Sequence, residues 1–242
     1  MKKTVLILFI ITGQISNGQF WNIKEKVNGN KHVITETRKM TNYDKLSVTG
    51  PYQVKIVSGN NHEVKITADE NLMQAIDIYV KAGRLVIRTH PDFNIKKYTR
   101  LDVEVSAKYL SDIKLTGSGE VYNNYTFNWK NLKLSVTGSG NIDFDINVNH
   151  ISAFVIGSGD TKLKGKAENL KINIAGSGNV DAKNLSTTNA DIQITGSGDV
   201  YVKVQEKLNI KIFGSGNVYY YGEPEYLKTK SLGSGEIIFR EL

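Results

Sequence analysis

The sequence predicts an all-β protein built as a parallel β-solenoid (β-helix) of about 19 residues per coil, capped by an N-terminal β subregion of hairpins. Three observations carry this prediction. A four-residue unit recurs at nearly constant spacing, the residues between its copies alternate between apolar and polar, and equivalent positions of the copies carry matching residue types. The chain has 242 residues, which is long enough to bury a sizeable core.

The recurring unit is Gly-Ser-Gly followed by Asn, Asp or Glu, and its seven copies are separated by 21, 19, 19, 20, 18 and 19 residues. Their first glycines are Gly117, Gly138, Gly157, Gly176, Gly196, Gly214 and Gly233. Glycine permits the positive φ angles that a tight bend requires, and Asn and Asp tolerate close local turns. Each copy is therefore interpreted as a structural corner between two strands.

The residues on both sides of each corner alternate with a period of two, which is typical of strands with one buried face. Ile174, Ile194 and Ile212, for example, each stand two residues before a first glycine. The inward positions keep an even spacing across the corner. The chain is therefore expected to turn while the same face continues to point inward.

Two architectures fit a periodic corner. In a solenoid each strand pairs with its equivalent one coil away, whereas in an antiparallel meander each corner is a hairpin tip. Matching residue types at equivalent positions favour the solenoid. The position after the corner also alternates between acid and amide, which in a stack would separate like charges. It reads Glu120, Asn141, Asp160, Asn179, Asp199, Asn217 and Glu236.

Residues 1–18 have the features of a secretory signal peptide. Two lysines precede an apolar run at residues 4–12, and Ser16 and Gly18 are small residues at the positions required before a cleavage site. The apolar run is too short to span a bilayer. We therefore expect export to the periplasm, the cell surface or the medium, with no transmembrane span in the mature chain.

The rest of the chain divides into three parts. Residues 19–43 form a polar lead-in segment, residues 44–106 form the N-terminal β subregion, and residues 107–242 form the Gly-Ser-Gly repeat solenoid. The β subregion is expected to cover the edge of the first coil, because an open solenoid end needs protection.

Turn signals organise the N-terminal β subregion. It begins with one degenerate corner at residues 50–52, and hairpin turns are predicted at residues 59–61 and 82–83. Residues 69–77 provide the only plausible helical turn.

Composition excludes several classes of function. The chain has no cysteine, which rules out disulfides, thiol catalysis and thiolate metal sites. Loss of the two signal-peptide lysines lowers the formal net charge from +7 to +5. No basic run or nucleic-acid motif is present, so no nucleic-acid partner is expected.

Three stretches together resemble the head GIN domain family of auto-transporter adhesins, which are exported proteins found largely in Bacteroidota. They are YDKLSVTGPYQVKI at residues 43–56, ENLMQAIDIYVKAGRLVI at residues 70–87, and the iterated pattern L-x-I-x-x-x-G-S-G-[NDE]-[IV]. The resemblance covers about residues 43–240. It implies a β-helical fold outside the cytoplasm, but it implies little about activity and carries over no catalytic or binding residues.

Catalysis and metal binding are not expected. Parallel β-helices often carry polysaccharide-cleaving sites, which need clustered acids in a cleft. Outward carboxylates such as Asp143 and Asp145 are what any solvated strand shows, and the four histidines are far apart in sequence. The corners are superficially similar to calcium β-rolls, but they come once per coil instead of twice. No catalytic residue, cofactor or metal is assigned.

A binding face is the favoured functional hypothesis. Tyr201 and Tyr219 are predicted to point outward from adjacent coils, with Tyr221 further along the same strand. Exposed aromatic rings stack on sugars and anchor protein partners, although cross-strand pairing of the rings is the alternative interpretation. Further outward apolar residues, which suggest a second patch, are Phe154, Ile156 and Phe213.

The sequence therefore predicts an exported, non-catalytic surface or envelope module that binds an extracellular glycan or an envelope protein. Two alternatives remain open, namely a carbohydrate-active β-helix enzyme and a structural, self-assembling envelope protein.

Overall fold

The computed structural model describes residues 24–241. Of these residues, 70% lie in strands and 3% in helix, which confirms the predicted all-β class. The predicted signal peptide, residues 1–18, and the beginning of the lead-in segment, residues 19–23, lie outside the described residues. Within the described part, no helix has the length and apolar character needed to cross a membrane.

The repeat region is a stack of parallel strands joined at the Gly-Ser-Gly corners. Its strands are β10 (Asp112–Gly117), β11 (Glu120–Tyr122), β12 (Phe127–Gly138), β13 (Asn141–Gly157), β14 (Thr161–Gly176), β15 (Val180–Gly196), β16 (Val200–Gly214), β17 (Val218–Tyr221), β18 (Tyr226–Leu232) and β19 (Ile237–Arg240).

Parallel pairing in register confirms the predicted solenoid and excludes the meander. Gly157 pairs with Gly176, Gly176 with Gly196, and Gly196 with Gly214, each one coil further along. The corner backbones also bond to one another, since Ser177 N–H donates to the Gly157 carbonyl oxygen at 2.8 Å. The seven corners therefore form one line along the molecule.

The N-terminal part contains nine further strands and one 3₁₀ helix, Glu70–Ala75, which corresponds to the predicted helical turn. The strands are β1 (Glu25–Asn28), β2 (Val33–Lys39), β3 (Lys45–Thr49), β4 (Gln53–Val57), β5 (Glu63–Asp69), β6 (Ile76–Lys81), β7 (Arg84–Thr89), β8 (Phe93–Lys97) and β9 (Leu101–Ser106).

The parallel ladder of the repeats continues into this N-terminal part. β10 pairs with β3 and β3 with β7, while β11 pairs with β4 and β4 with β9, all in parallel. The parallel ladder ends at antiparallel strands. β6 pairs with β7, β5 with β9, and β2 with β5, each in the antiparallel direction. They protect the first parallel edges from pairing with another chain.

One of the two predicted hairpins is confirmed and the other is wrong. β6 and β7 are an antiparallel pair joined at Ala82 and Gly83, whose φ angles are 50° and 72°. β4 and β5, however, do not pair with each other, because β9 lies between them. The five residues 58–62 are long enough to pass over one intervening strand, since they reach roughly 17 Å when extended.

Inward side chains form columns that follow the solenoid axis. Ile174, Ile194 and Ile212 are neighbours in register on β14, β15 and β16, and each is at most 2% exposed. Phe144 is completely buried in the same interior. The core is therefore one continuous apolar column, and its stability depends on each coil covering the next.

The last coil, β18 and β19, differs from the others because strands pair with it on one side only. Leu227 occupies the column position of the buried Leu208 but is 44% exposed, and Phe239 is 43% exposed. All residues of β18 are exposed. Within residues 24–241 this end of the core has no cover.

Candidate functional site

The three predicted binding tyrosines lie together on the outer face of β16 and β17. Strand alternation points Val200 and Val202 into the core and leaves Tyr201 outside. Tyr201 pairs in register with Tyr219, and Lys203 pairs with Tyr221. All three tyrosines are half-buried. We call this set the tyrosine face.

The rings of Tyr201 and Tyr219 are stacked on each other, with centroids 4.7 Å apart and planes 9° apart. Lys183 Nζ of the preceding coil lies 5.9 Å from the centroid of the Tyr201 ring. Arg240 Cζ of the following coil lies 5.6 Å from the centroid of the Tyr219 ring. The ring faces are thus occupied by each other and by cations. The tyrosine face offers ring edges and hydroxyl groups to a partner.

The hydroxyl of Tyr201 keeps its proton at neutral pH and can donate a hydrogen bond. Burial raises its pKa above the usual value of 10.0, and the neighbouring Tyr219 and Asp199 raise it further. A protonated phenol both donates and accepts hydrogen bonds. The tyrosine face therefore suits a ligand with hydroxyl or amide groups better than one that needs an open aromatic platform.

The predicted second apolar patch is not one patch. Ile156 is 55% exposed and Phe213 is 37% exposed, but Ala175 and Thr195 separate them in the same outward row. Phe154 lies one row away, under the Lys133 ammonium at 5.0 Å. The neighbour that sequence reasoning missed is Leu232, which pairs with Phe213 and is 54% exposed.

Several acids and histidines lie in ion pairs at the surface. Lys164 Nζ lies 3.1 Å from Asp143 Oδ1, so that acid is part of a surface ion pair. His32 and His90 also lie beside acids of the N-terminal part, Glu70 and Asp92. Among residues 24–241, no group of three or more His, Asp or Glu side chains has the arrangement of a metal site.

Backbone conformation and close packing require glycine at the first position of each corner. All seven first glycines have φ angles between 106° and 138°, a region that other residues rarely adopt. A Cβ atom on Gly196 would overlap the carbonyl oxygen of Gly176 below it. Both constraints follow from stacking one bend directly on the next.

The residue after each corner forms a hydrogen-bonded ladder along the axis. In five successive coils its backbone N–H donates to the side-chain oxygen of its equivalent one coil earlier, over 2.7–3.1 Å. Asn179 and Asn217 each add a bond from Nδ2 to the preceding Asp160 and Asp199, at 3.0 and 3.2 Å. Acid and amide alternate because the amide supplies the donor that the carboxylate needs.

Asp199→Ala is expected to lower the free energy of unfolding by about 1–3 kcal/mol, because the Asn217 N–H and Nδ2 both lose their acceptor. Urea denaturation measures the loss. Asp199→Asn, which keeps an oxygen acceptor, and Asp191→Ala, which changes an exposed carboxylate of β15 outside the ladder, serve as controls. Equal midpoints for Asp199→Ala and Asp191→Ala would contradict a stabilising ladder.

Comparisons with known proteins agree with this architecture. A family model described as "Putative auto-transporter adhesin, head GIN domain" matches residues 42–224. None of the curated proteins compared with the chain matches it.

Several solved structures share the fold. A "putative adhesin" from Bacteroides fragilis has a TM-score of 0.84 at 22% identity, covering 88% of this chain and 100% of its own. A "putative lipid binding protein" and a "putative adhesin" from Parabacteroides distasonis have TM-scores of 0.76 and 0.74 at 23% and 22% identity. Both comparisons cover 89% of this chain and 100% of the other.

Proposed function

Because the chain belongs to the head GIN domain family of auto-transporter adhesins, we propose that it is an exported, non-catalytic surface module that binds an extracellular glycan or an envelope protein. Family membership supports an adhesin-like role and a location outside the cytoplasm. The tyrosine face is the proposed contact region, because it gathers three half-buried aromatic residues and two cations on neighbouring coils.

The single observation that carries this proposal is the stacked pair of Tyr201 and Tyr219. Stacking holds both rings at fixed positions, so little side-chain entropy remains to be lost when a partner binds. Their hydroxyl edges, with the nearby Lys183 and Arg240, form a row of polar groups on a rigid sheet. Such a row suits hydroxyl-rich partners, and Arg240 adds attraction for an acidic group, whereas Lys183 Nζ already lies 3.4 Å from Asp181 Oδ2.

Tyr201→Ala combined with Tyr219→Ala is expected to weaken binding of a partner more than tenfold, which corresponds to about 1.4 kcal/mol. The partner is first identified on a glycan array or by pull-down from envelope extract, and its affinity is then measured by titration. The double change to Phe keeps the stack and removes the hydroxyls, so an intermediate loss is expected if hydrogen bonds contribute.

Tyr98→Ala is the matched control, because Tyr98 is 44% exposed and lies in the N-terminal part, away from the tyrosine face. Its affinity should equal that of the wild type. A double alanine variant that binds with unchanged affinity would show that Tyr201 and Tyr219 form only a cross-strand pair. If neither screen yields a partner, the self-assembling alternative becomes the better interpretation, and the exposed last coil is its natural contact.

A further inference from the structure

A second surface, distinct from the tyrosine face, crosses five strands about half a coil away from the Gly-Ser-Gly corners. It is an open groove of about 840 Å³ that runs along the solenoid axis over β12 to β16. One wall is a row in register from Asn128 to Asn147, Lys166 and Ser186, and Gln205 extends the row. We call this surface the amide groove.

The floor of the amide groove is apolar and partly accessible. Val148 is 8% exposed, whereas every other inward side chain of β13 is at most 1% exposed. On β14, Ala167 is 5% exposed, whereas the inward leucines on either side of it, Leu163 and Leu170, are at most 2% exposed. Trp129 is 6% exposed, and its indole N–H donates to the Lys108 carbonyl at 3.0 Å. The ring therefore offers the groove only apolar surface.

The walls hold amide groups with unused hydrogen-bonding capacity. Asn147 Nδ2 donates to Asn128 Oδ1 at 3.0 Å, and Gln205 Nε2 donates to Ser186 Oγ at 3.4 Å. A side-chain amide has two N–H donors and an oxygen with two lone pairs. Among residues 24–241, Asn128 Nδ2, Asn147 Oδ1 and Gln205 Oε1 have no protein partner. Free donors and acceptors thus line one wall.

We propose that the amide groove binds a linear, uncharged polysaccharide whose chain runs parallel to the solenoid axis. Sugar units combine C–H surfaces with hydroxyl groups that donate and accept, which matches an apolar floor beside a wall rich in amide groups. Successive coils repeat about every 4.8 Å, so the five wall positions span roughly 19 Å. A repeating ligand of several units meets a polar side chain at each coil, and three of the five are amides.

Charge and backbone pairing favour this ligand over two others. The charged side chains of the groove are Lys130, Lys166 and Glu168. Their net charge is a single positive charge, which is too little to attract an acidic polymer strongly. β13, β14 and β15 are paired on both sides along the groove, so a peptide finds no free strand edge there to extend. An uncharged polymer of hydroxyl groups needs neither.

Affinity electrophoresis of the full chain tests this proposal. Native gels are cast with one soluble polysaccharide each, namely a β-1,3-glucan, a β-1,4-glucan ether, a xylan, a mannan or the acidic polygalacturonate. At least one neutral polysaccharide should retard the wild-type protein. Asn147→Ala combined with Gln205→Ala should raise the apparent dissociation constant about tenfold, since two hydrogen-bonding side chains are lost. Asn149→Trp, at an exposed position, should abolish retardation by filling the groove.

Matched controls separate the amide groove from the rest of the surface. Gln193→Ala removes an exposed amide of β15 outside the groove and should bind like the wild type. Melting curves confirm that each variant is folded. Retardation by polygalacturonate alone, by no neutral polysaccharide, or equally for wild type and both groove variants would overturn the proposal. Retardation that is lost in the double alanine variant of Tyr201 and Tyr219 but kept in both groove variants would move the glycan site to the tyrosine face.

Discussion

Gly196→Val is expected to lower the free energy of unfolding by about 2–5 kcal/mol, the sum of two separate costs. Valine at a φ of 128° adopts a backbone conformation that costs a branched residue about 1–2 kcal/mol. Its Cβ also overlaps the Gly176 carbonyl oxygen, and overpacking adds about 1–3 kcal/mol. Urea denaturation followed by circular dichroism measures the sum.

The neighbouring substitution Thr195→Val is its control, because it introduces the same side chain at an exposed strand position. Surface changes of that kind usually stay within about 0.5 kcal/mol. Gly196→Ala should fall between the two, since alanine meets the same overlap with fewer atoms. A Gly196→Val midpoint equal to that of Thr195→Val would mean that stacked corners tolerate a side chain.

Ile194→Ala should cost about 2–5 kcal/mol, because it leaves a cavity in the middle of a closed column. Ile194 is 0% exposed and lies between Ile174 and Ile212 on the adjacent coils. Neither neighbour can move to fill the space without leaving its own coil. The denaturation midpoint should therefore fall while the slope stays constant.

The chain provides a matched isoleucine for this test. Ile156 is 55% exposed on an outward position of β13, so Ile156→Ala deletes the same atoms without opening a cavity. Its midpoint should stay close to that of the wild type. Similar losses at Ile156 and Ile194 would indicate that burial in the column does not set the stability of the coil.

The parts of the fold that could be predicted from the sequence are those that repeat in successive coils. The corner motif, the buried column of Ile174, Ile194 and Ile212, and the acid–amide ladder each repeat at about 19 residues. In a repeat, a long-range contact can be predicted from the sequence, because each residue pairs with its equivalent one period away. The spacing of the repeats therefore predicts the register of the strands.

The features that sequence missed depend on contacts without a period. The turn at residues 59–61 has the composition of a hairpin, and nothing local indicates that β9, more than forty residues later, inserts beside β4. The tyrosine pair was predicted as neighbours, but the cations over its rings depend on how Lys183 and Arg240 are oriented. The amide groove was missed because the register shifts along β15, so the residues of the groove are not evenly spaced in the sequence.

Within residues 24–241, the one-sided pairing of the last coil also predicts how the solenoid responds to force. Pulling on the carboxyl end along the axis loads the bonds of β18 and β19 first, because they have a single neighbour to hold them. Once that coil peels away, its neighbour becomes the new terminal coil, and each step releases about 19 residues, or roughly 60 Å of slack. We therefore expect the solenoid to unfold one coil at a time when it is pulled from this end.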